Sequence, residues 1–228
     1  MEMLVNRTIG RRQILAGLSL GGAMAALPGC ATLPGFGLTE AIKRILTLSS
    51  QQAFATLTQD DGFWNSAVAR IGLPSAFTQN ASLVSALLST GPVRNQLQKT
   101  FNNIAEDGAE RAAPLVADAI RNISIGDAAA IVNGGGSAAT SYLRGQMGTA
   151  LIGAMVPALG DAMRVASNPL LGQALSALSG VDVNGVAQGL AVDVDNAIWA
   201  QIGASESAIR ANPQATNDPA IIAVFGLR

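Results

Sequence analysis

From Thr39 onward the apolar residues recur at spacings of three and four, and no stretch alternates them long enough to make a convincing strand. That is the period of a helix, so the chain has to bury helical stripes against one another. The pattern predicts an all-α fold, a compact irregular multi-helix bundle, with residues 38–228 as a single helical domain. Leu38, Ile42, Ile45, Leu46, Phe54 and Leu57 share a first face, with Thr39 as N-cap and Asp60-Asp61-Gly62 as the stop. A loop carrying Phe63, Trp64 and Asn65 runs through Gly72-Leu73-Pro74. Leu83, Val84, Leu87 and Leu88 mark a short helix ended by Gly91, and Pro92 suits the first turn of the next. Val93, Leu97, Phe101, Ile104 and Ala105 carry that helix to an interruption at Pro114, after which Leu115, Val116, Ala119, Ile120 and Ile123 resume the period.

Ser124-Ile125-Gly126-Asp127 has the form of a capping box opening a helix through Val132. Gly134-Gly135-Gly136 ends it, and Ser137 or Thr140 is placed to cap the next. Tyr142 to Val165 is long and apolar, but Pro157 lies inside it and Arg144, Asp161 and Arg164 bound a window too short for a bilayer. A core helix kinked at the proline is expected there. Further helices are expected near 170–179, 183–191 and 194–211, the last with Asp193 and Asp195 at its positive end and Ile198, Ile202 and Ile209 along one face. Asn212-Pro213 closes it, and Ile221, Ile222, Val224 and Phe225 form an apolar tail.

The amino terminus reads as an address. Arg7, Arg11 and Arg12 precede an uncharged stretch from Ile14 to Leu27, the layout of an export signal over residues 1–29. Gly10-Arg11-Arg12-Gln13-Ile14-Leu15 resembles the twin-arginine motif, and a general secretory signal is the alternative. Leu27-Pro28-Gly29-Cys30 resembles a lipobox, which implies cleavage after Gly29 and acyl chains on Cys30, the only cysteine. Several acyl chains anchor stably where one does so only marginally. Ala31 follows the cysteine, and by resemblance to sorted lipoproteins of two-membrane bacteria the absence of Asp there favours the outer membrane, on its periplasmic side. Residues 30–37 are then the lipidated cysteine and its linker, whose extended reach of about 20–25 Å keeps the domain close to the membrane.

Composition closes several routes to chemistry. With no histidine there is no Ser-His-Asp or Cys-His machinery and no imidazole metal site, and one cysteine makes neither a disulfide nor a thiolate cage. A formal net charge of −1 with lysines only at 43 and 99 argues against nucleic acid as a partner. No cofactor or metal is expected. The triple glycine followed by Ser137 lacks the lysine a phosphate loop needs, and glycines there more simply supply positive φ to a turn. Asp182-Val183-Asn184-Gly185 lacks the ligands of a calcium loop, which leaves Asp182 as a helix N-cap.

Five residues are candidates for a binding site: Thr140, Tyr142, Arg144, Glu206 and Arg210. The first three are two apart, so a regular helix cannot aim them all at one place, and core packing with a satisfied hydroxyl is the expectation. Glu206 and Arg210 are four apart, acid first, the spacing of a surface ion pair worth a few tenths of a kcal/mol.

Several stretches together resemble a bacterial family known as domain-of-unknown-function family 4197. They are Phe63-Trp64-Asn65-Ser66 with Arg70-Ile71 and Leu73-Pro74, Asp127-Ala128, Gly135 through Ala139-Thr140-Ser141-Tyr142-Leu143-Arg144, and Glu206-Ser207-Ala208-Ile209-Arg210-Ala211-Asn212-Pro213 ending toward Val224-Phe225-Gly226. The resemblance implies an exported helical envelope protein and carries no catalytic assignment. Leu143 stands where the family often has phenylalanine.

Two functions fit. One is a non-catalytic, lipid-anchored module that binds an envelope protein partner or an apolar ligand. The other is carboxylate-dependent cleavage of peptidoglycan by one of Glu40, Glu106, Glu110 or Glu206, although carboxylates here are expected mostly at helix ends and aromatic content is only 4%. A structural spacer is disfavoured by the absence of long heptads.

Overall fold

The computed structural model describes residues 37–79, 89–166, 168–177 and 182–226. The export signal with Arg11 and Arg12, Cys30, and the expected helix over Leu83–Leu88 lie outside the described residues. Within them the chain is helical and contains no strand. The helices are α1 (Leu38–Leu57), α2 (Gly62–Asn65), α3 (Ser75–Gln79), α4 (Gly91–Asn122), α5 (Ala128–Asn133), α6 (Ala138–Met147), α7 (Ala150–Val165), α8 (Pro169–Ala177), α9 (Val183–Ala211), a 3-10 turn (Pro213–Thr216) and α10 (Pro219–Phe225).

The long helices α1, α4, α7 and α9 make the bundle, and α9 touches each of the other three. Their inward stripes recur every three to four residues: Ile42, Ile45, Leu46, Ala53 and Leu57 on α1, and Leu97, Phe101, Ala105, Ala109 and Val116 on α4. Leu151, Met155 and Leu159 on α7 meet Val186, Leu190, Val194, Ile198 and Ile202 on α9 in the same core. Gly108 of α4 permits this closeness, since a Cβ there would stand 3.0 Å from Leu159 Cδ2. Phe77 of α3 packs edge-on to Phe101 at 5.3 Å between ring centres. No single described helix is long and apolar enough to cross a membrane; α7 and α8 together meet that test only as a pair bent by 112°.

Several boundaries differ from those the sequence suggests, each for a local reason. α4 does not stop at Pro114 but runs through it for 32 residues. The proline and the residue four before it, Glu110, are both exposed, so the carbonyl left without a donor sits where water reaches it. Pro157 is likewise internal to α7 and exposed. The apolar run from Tyr142 to Val165 is instead broken into α6 and α7 at Gly148, whose φ of +54° ends the helix. The two helices expected over 183–191 and 194–211 are one, 29 residues long, so Asp193 and Asp195 lie in its middle rather than at a positive end. Gly37, not Thr39, precedes α1, and Phe63-Trp64-Asn65 form the short helix α2 rather than a loop. The N-cap of α5 is Asp127, whose carboxylate accepts the Ala130 N–H at 2.9 Å, so Ser124 caps nothing. Asp182 does cap α9, accepting from the Asn184 N–H.

The loop after α2 is fastened from below by Asn102, which is fully buried. Its amide oxygen accepts the Ile71 N–H at 3.0 Å, and its amide nitrogen donates to the Ile71 carbonyl at 3.0 Å. Ser66 accepts from the Val68 and Ala69 N–H groups and donates to Gln201 of α9. The Arg70 guanidinium stacks 4.5 Å from the Trp64 ring and donates to the Trp64 carbonyl.

Candidate functional site

α6 packs against the second half of α9, and two buried carboxylates on α9 organise that contact. Ser137 is the N-cap residue of α6 but its hydroxyl caps nothing. Glu206, entirely buried, does the work from across the interface. Its carboxylate accepts the N–H of Ala139 at 3.1 Å, the N–H of Thr140 at 2.7 Å and the Thr140 hydroxyl at 2.6 Å. Arg210, one turn on, donates Nε to Glu206 at 2.8 Å and its two terminal nitrogens to the carbonyls of Val132 and Ile131 at 3.0 and 3.1 Å. A negative group thus sits at the positive end of α6 and a positive group at the negative end of α5. The Arg210 guanidinium also lies 4.6 Å from the centre of the Phe225 ring on α10.

The sequence expectation of a weak surface pair at Glu206 and Arg210 is therefore corrected: α9 turns these residues toward the α5–α6 corner, and both are withdrawn from water. The triple glycine serves the same corner. No member of it has positive φ; the described glycine that does is Gly148. Glycine is needed for approach, because a Cβ at Gly136 would stand 2.7 Å from Ser207 Oγ and one at Gly134 would stand 2.6 Å from Ala138 Cβ.

The second carboxylate, Asp195, is 3% exposed. It accepts from Arg144 Nη2 at 2.9 Å and from the Trp199 indole N–H at 2.9 Å. Burial pushes its carboxyl above the ordinary range, against the opposing pull of Trp199 and Arg144. Arg144 donates the same nitrogen to Asn196, so its guanidinium is fixed from one side while 43% of the side chain stays in solvent.

Above these two networks lies an open cleft of about 380 Å³. One wall is Ser137, Thr140, Ser141 and Arg144; the other is Asn196, Trp199, Ala200, Gly203, Ala204 and Ser207. Small residues recurring at three and four on α9 make the opening, and the Gly203 position is tight enough that a Cβ would stand 3.2 Å from Ser137. The hydroxyls of Ser137, Ser141 and Ser207, and the Nε and Nη1 of Arg144, form no hydrogen bond with any described residue.

Of the five candidates, Thr140 and Arg144 line this cleft, four residues apart on one face of α6. Glu206 and Arg210 lie beneath it. Tyr142 points elsewhere, as its spacing requires: its hydroxyl donates to the Ser124 carbonyl at 2.7 Å and ties α6 to the turn before α5. Asp195, Trp199 and Asn196 escaped the sequence reading, although Asp195 and Trp199 carry the i, i+4 signature of a shared helical face. Taking Asp195 for a residue of a helix's first turn hid that pairing.

The four candidate glutamates are also not gathered at helix ends. Glu40 is in the first turn of α1, but Glu106 and Glu110 are in the middle of α4. Glu40 pairs with Arg44 at 2.8 Å. Glu106 accepts the Gly62 N–H at 3.0 Å, and burial first, then the charges of Asp61, Asp60 and Asp107, push its carboxyl up to about 7. No group of three or more acidic or thiol ligands able to hold a metal is present among the described residues.

No curated protein and no solved structure matches this chain. A family model described as a protein of unknown function, DUF4197, matches residues 33–226. That span takes in every helix from α1 to α10 and both buried networks, and the chain belongs to this family.

Proposed function

We infer that the protein is exported, lipidated at Cys30 and held on the periplasmic side of the outer membrane, where its helical body is a non-catalytic binding module. Arg11, Arg12 and the lipobox-like Leu27-Pro28-Gly29-Cys30 support the address. The observation that carries the binding role is the α6–α9 cleft, whose Arg144 and Trp199 are both set by one buried carboxylate. Such a fixed polar wall is the form of a recognition site built on rigid elements. The carboxylates near it are already engaged, Glu206 by Ala139, Thr140 and Arg210 and Asp195 by Arg144 and Trp199, which leaves no free acid or base beside the cleft. The cleft also suits a polar occupant better than the apolar ligand expected from composition, because its hydroxyls and guanidinium carry the open donors while its apolar lining is mainly the small residues Ala200, Gly203 and Ala204.

The address is tested by labelling cells with a fatty-acid analogue and weighing the mature protein. Label on the wild type and none on Cys30→Ser supports it; an unlabelled wild type removes it. The binding role is tested by native mass spectrometry of protein drawn gently from its own envelope, alongside in-cell cross-linking. A mass or partner that Ala200→Leu displaces supports the role, and neither one depending on Ala200 removes it.

Carboxylate-dependent cleavage has one observation in its favour, the Glu106 carboxyl pushed up to about 7, which keeps a substantial share of it protonated at neutral pH. Release of peptidoglycan fragments that Glu106→Gln abolishes would establish it; no release by the wild type would remove it.

A further inference from the structure

Resting on the binding role of the α6–α9 cleft, the nature of its occupant follows from which groups in the cleft are spoken for and which are not. We propose that the cleft takes a small hydroxylated monocarboxylate, with Arg144 receiving the carboxylate and Ser137, Ser141 and Ser207 receiving the hydroxyls.

Arg144 is the one charged side chain on the cleft wall. Asp195 and Asn196 both hold its Nη2, which orients the guanidinium and leaves Nε and Nη1 with their N–H groups unspent. Those donors suit an anionic oxygen, and a guanidinium fixed from behind loses little freedom on binding one. With its charge already balanced by Asp195, the guanidinium tolerates one further negative charge far better than two. Phosphate groups are commonly held by the free amides of a helix N-terminus, but at α6 the N–H groups of Ala139 and Thr140 are taken by Glu206. The site therefore favours carboxylate over phosphate.

The rest of the wall specifies what the carboxylate is attached to. The three serine hydroxyls have no partner among the described residues and face the same opening. Each can donate and accept, as a ligand hydroxyl can. An alkyl chain finds only small side chains to pack on, Ala200, Gly203 and Ala204, because Trp199 is only 3% exposed. That same burial denies a sugar ring an aromatic face to stack on, so hydrogen bonding carries the recognition. A cleft of about 380 Å³ is small among ligand sites.

The test is calorimetric titration of the full chain with sodium gluconate, beside three controls. Sorbitol keeps the hydroxyls without the charge, hexanoate keeps the charge without the hydroxyls, and inorganic phosphate offers a different anion. Saturable gluconate binding, with each control weaker by about tenfold or more, supports the proposal. Arg144→Lys is expected to weaken gluconate by about tenfold or more, since an ammonium cannot reproduce the pinned planar fork. Because that change also touches Asp195, Ala200→Leu is the second variant: it fills the cleft, removes no hydrogen bond, and is expected to abolish binding with an unchanged melting temperature. Hexanoate or phosphate binding as well as gluconate overturns the proposal, as does gluconate binding that survives Ala200→Leu. No gluconate binding, with an envelope-derived mass or partner still displaced by Ala200→Leu, overturns the ligand class and leaves the binding role standing. No binding of either kind overturns both.

Discussion

Replacing Glu206 by glutamine changes one oxygen for an NH₂ at a side chain that is entirely buried. The carboxylate accepts four hydrogen bonds, from the Ala139 and Thr140 amides, the Thr140 hydroxyl and Arg210 Nε. A carboxamide can accept at one atom only, so whichever way it turns, its NH₂ meets an N–H donor. The change also leaves Arg210, whose side chain is 10% exposed, without its counter-charge. Breaking one half of a buried pair costs about 3–5 kcal/mol, and Arg210 keeps its bonds to Val132 and Ile131, so the lower half of that range is expected. Arg210→Met is expected to cost a similar amount, by leaving the Glu206 charge unpaired. The double variant Glu206→Gln/Arg210→Met should cost less than the sum of the two by about 2 kcal/mol, since removing both charges leaves neither stranded. Urea unfolding of the full chain followed by circular dichroism reads all four corners of the cycle. A loss below about 1 kcal/mol for Glu206→Gln, or strict additivity of the pair, refutes the reasoning and returns the two residues to the weak surface pair their spacing suggests.

Three further outcomes follow from other parts of the fold. The Glu106 carboxyl rises from its ordinary 4.5 to about 7 on folding, so the folded chain holds a proton that the unfolded chain has released between those values. Its contribution is therefore most favourable below 4.5 and is lost as pH rises through 7; after discounting for a side chain that is only partly buried, Glu106→Gln should gain about 1 kcal/mol at pH 8 and flatten the slope of stability between pH 5 and 7. Identical unfolding curves for the two proteins at pH 8 would count against that burial. Gly62→Ala places a Cβ 2.3 Å from the Thr56 carbonyl oxygen and should cost about 2 kcal/mol or more, whereas Gly145→Ala meets nothing within 4 Å inside α6 and should gain about 0.5–1 kcal/mol; opposite shifts in melting temperature are the check. Asn102→Leu strands the Ile71 N–H while the Ile71 carbonyl keeps its bond from Gln98, so it is expected to cost about 1–3 kcal/mol and to raise hydrogen exchange at Ile71 before the helices themselves exchange.

The sequence by itself determined the all-α class and most of the core. Apolar residues at three and four, as in Ile42, Ile45 and Leu46 or Leu97, Phe101 and Ala105, have only one way to be buried together, and they are buried that way. Single-residue signals with local causes were also legible, including Asp182 as a cap, the stop before Gly62 and the turn at Gly134–Gly136. The family resemblance was carried by the stretches that build the loop at Ser66–Pro74 and the Glu206–Arg210 corner, and the match over residues 33–226 bears it out. Where a helix is only weakly punctuated, sequence could not say whether it ends. Pro114 read as an interruption, yet it is exposed on an unbroken helix; Pro157 read as a kink within one helix from Tyr142 to Val165, whereas the break falls at Gly148, which gave no warning beyond its identity.

Only the tertiary structure decided what the charged residues do. The i, i+4 spacing of Glu206 and Arg210 is the same on a surface as in a core; what differs is that α9 runs past the α5–α6 corner, where unsatisfied amides and carbonyls of two other helices await a carboxylate and a guanidinium. Likewise Asp195 is one carboxylate among fifteen acids until α6 brings Arg144 across 51 residues of chain to meet it. Spacing along a helix sets which side chains share a face. Which backbone or side chain that face meets is fixed by packing between distant segments, and there the strength of a polar pair is set by what water it loses.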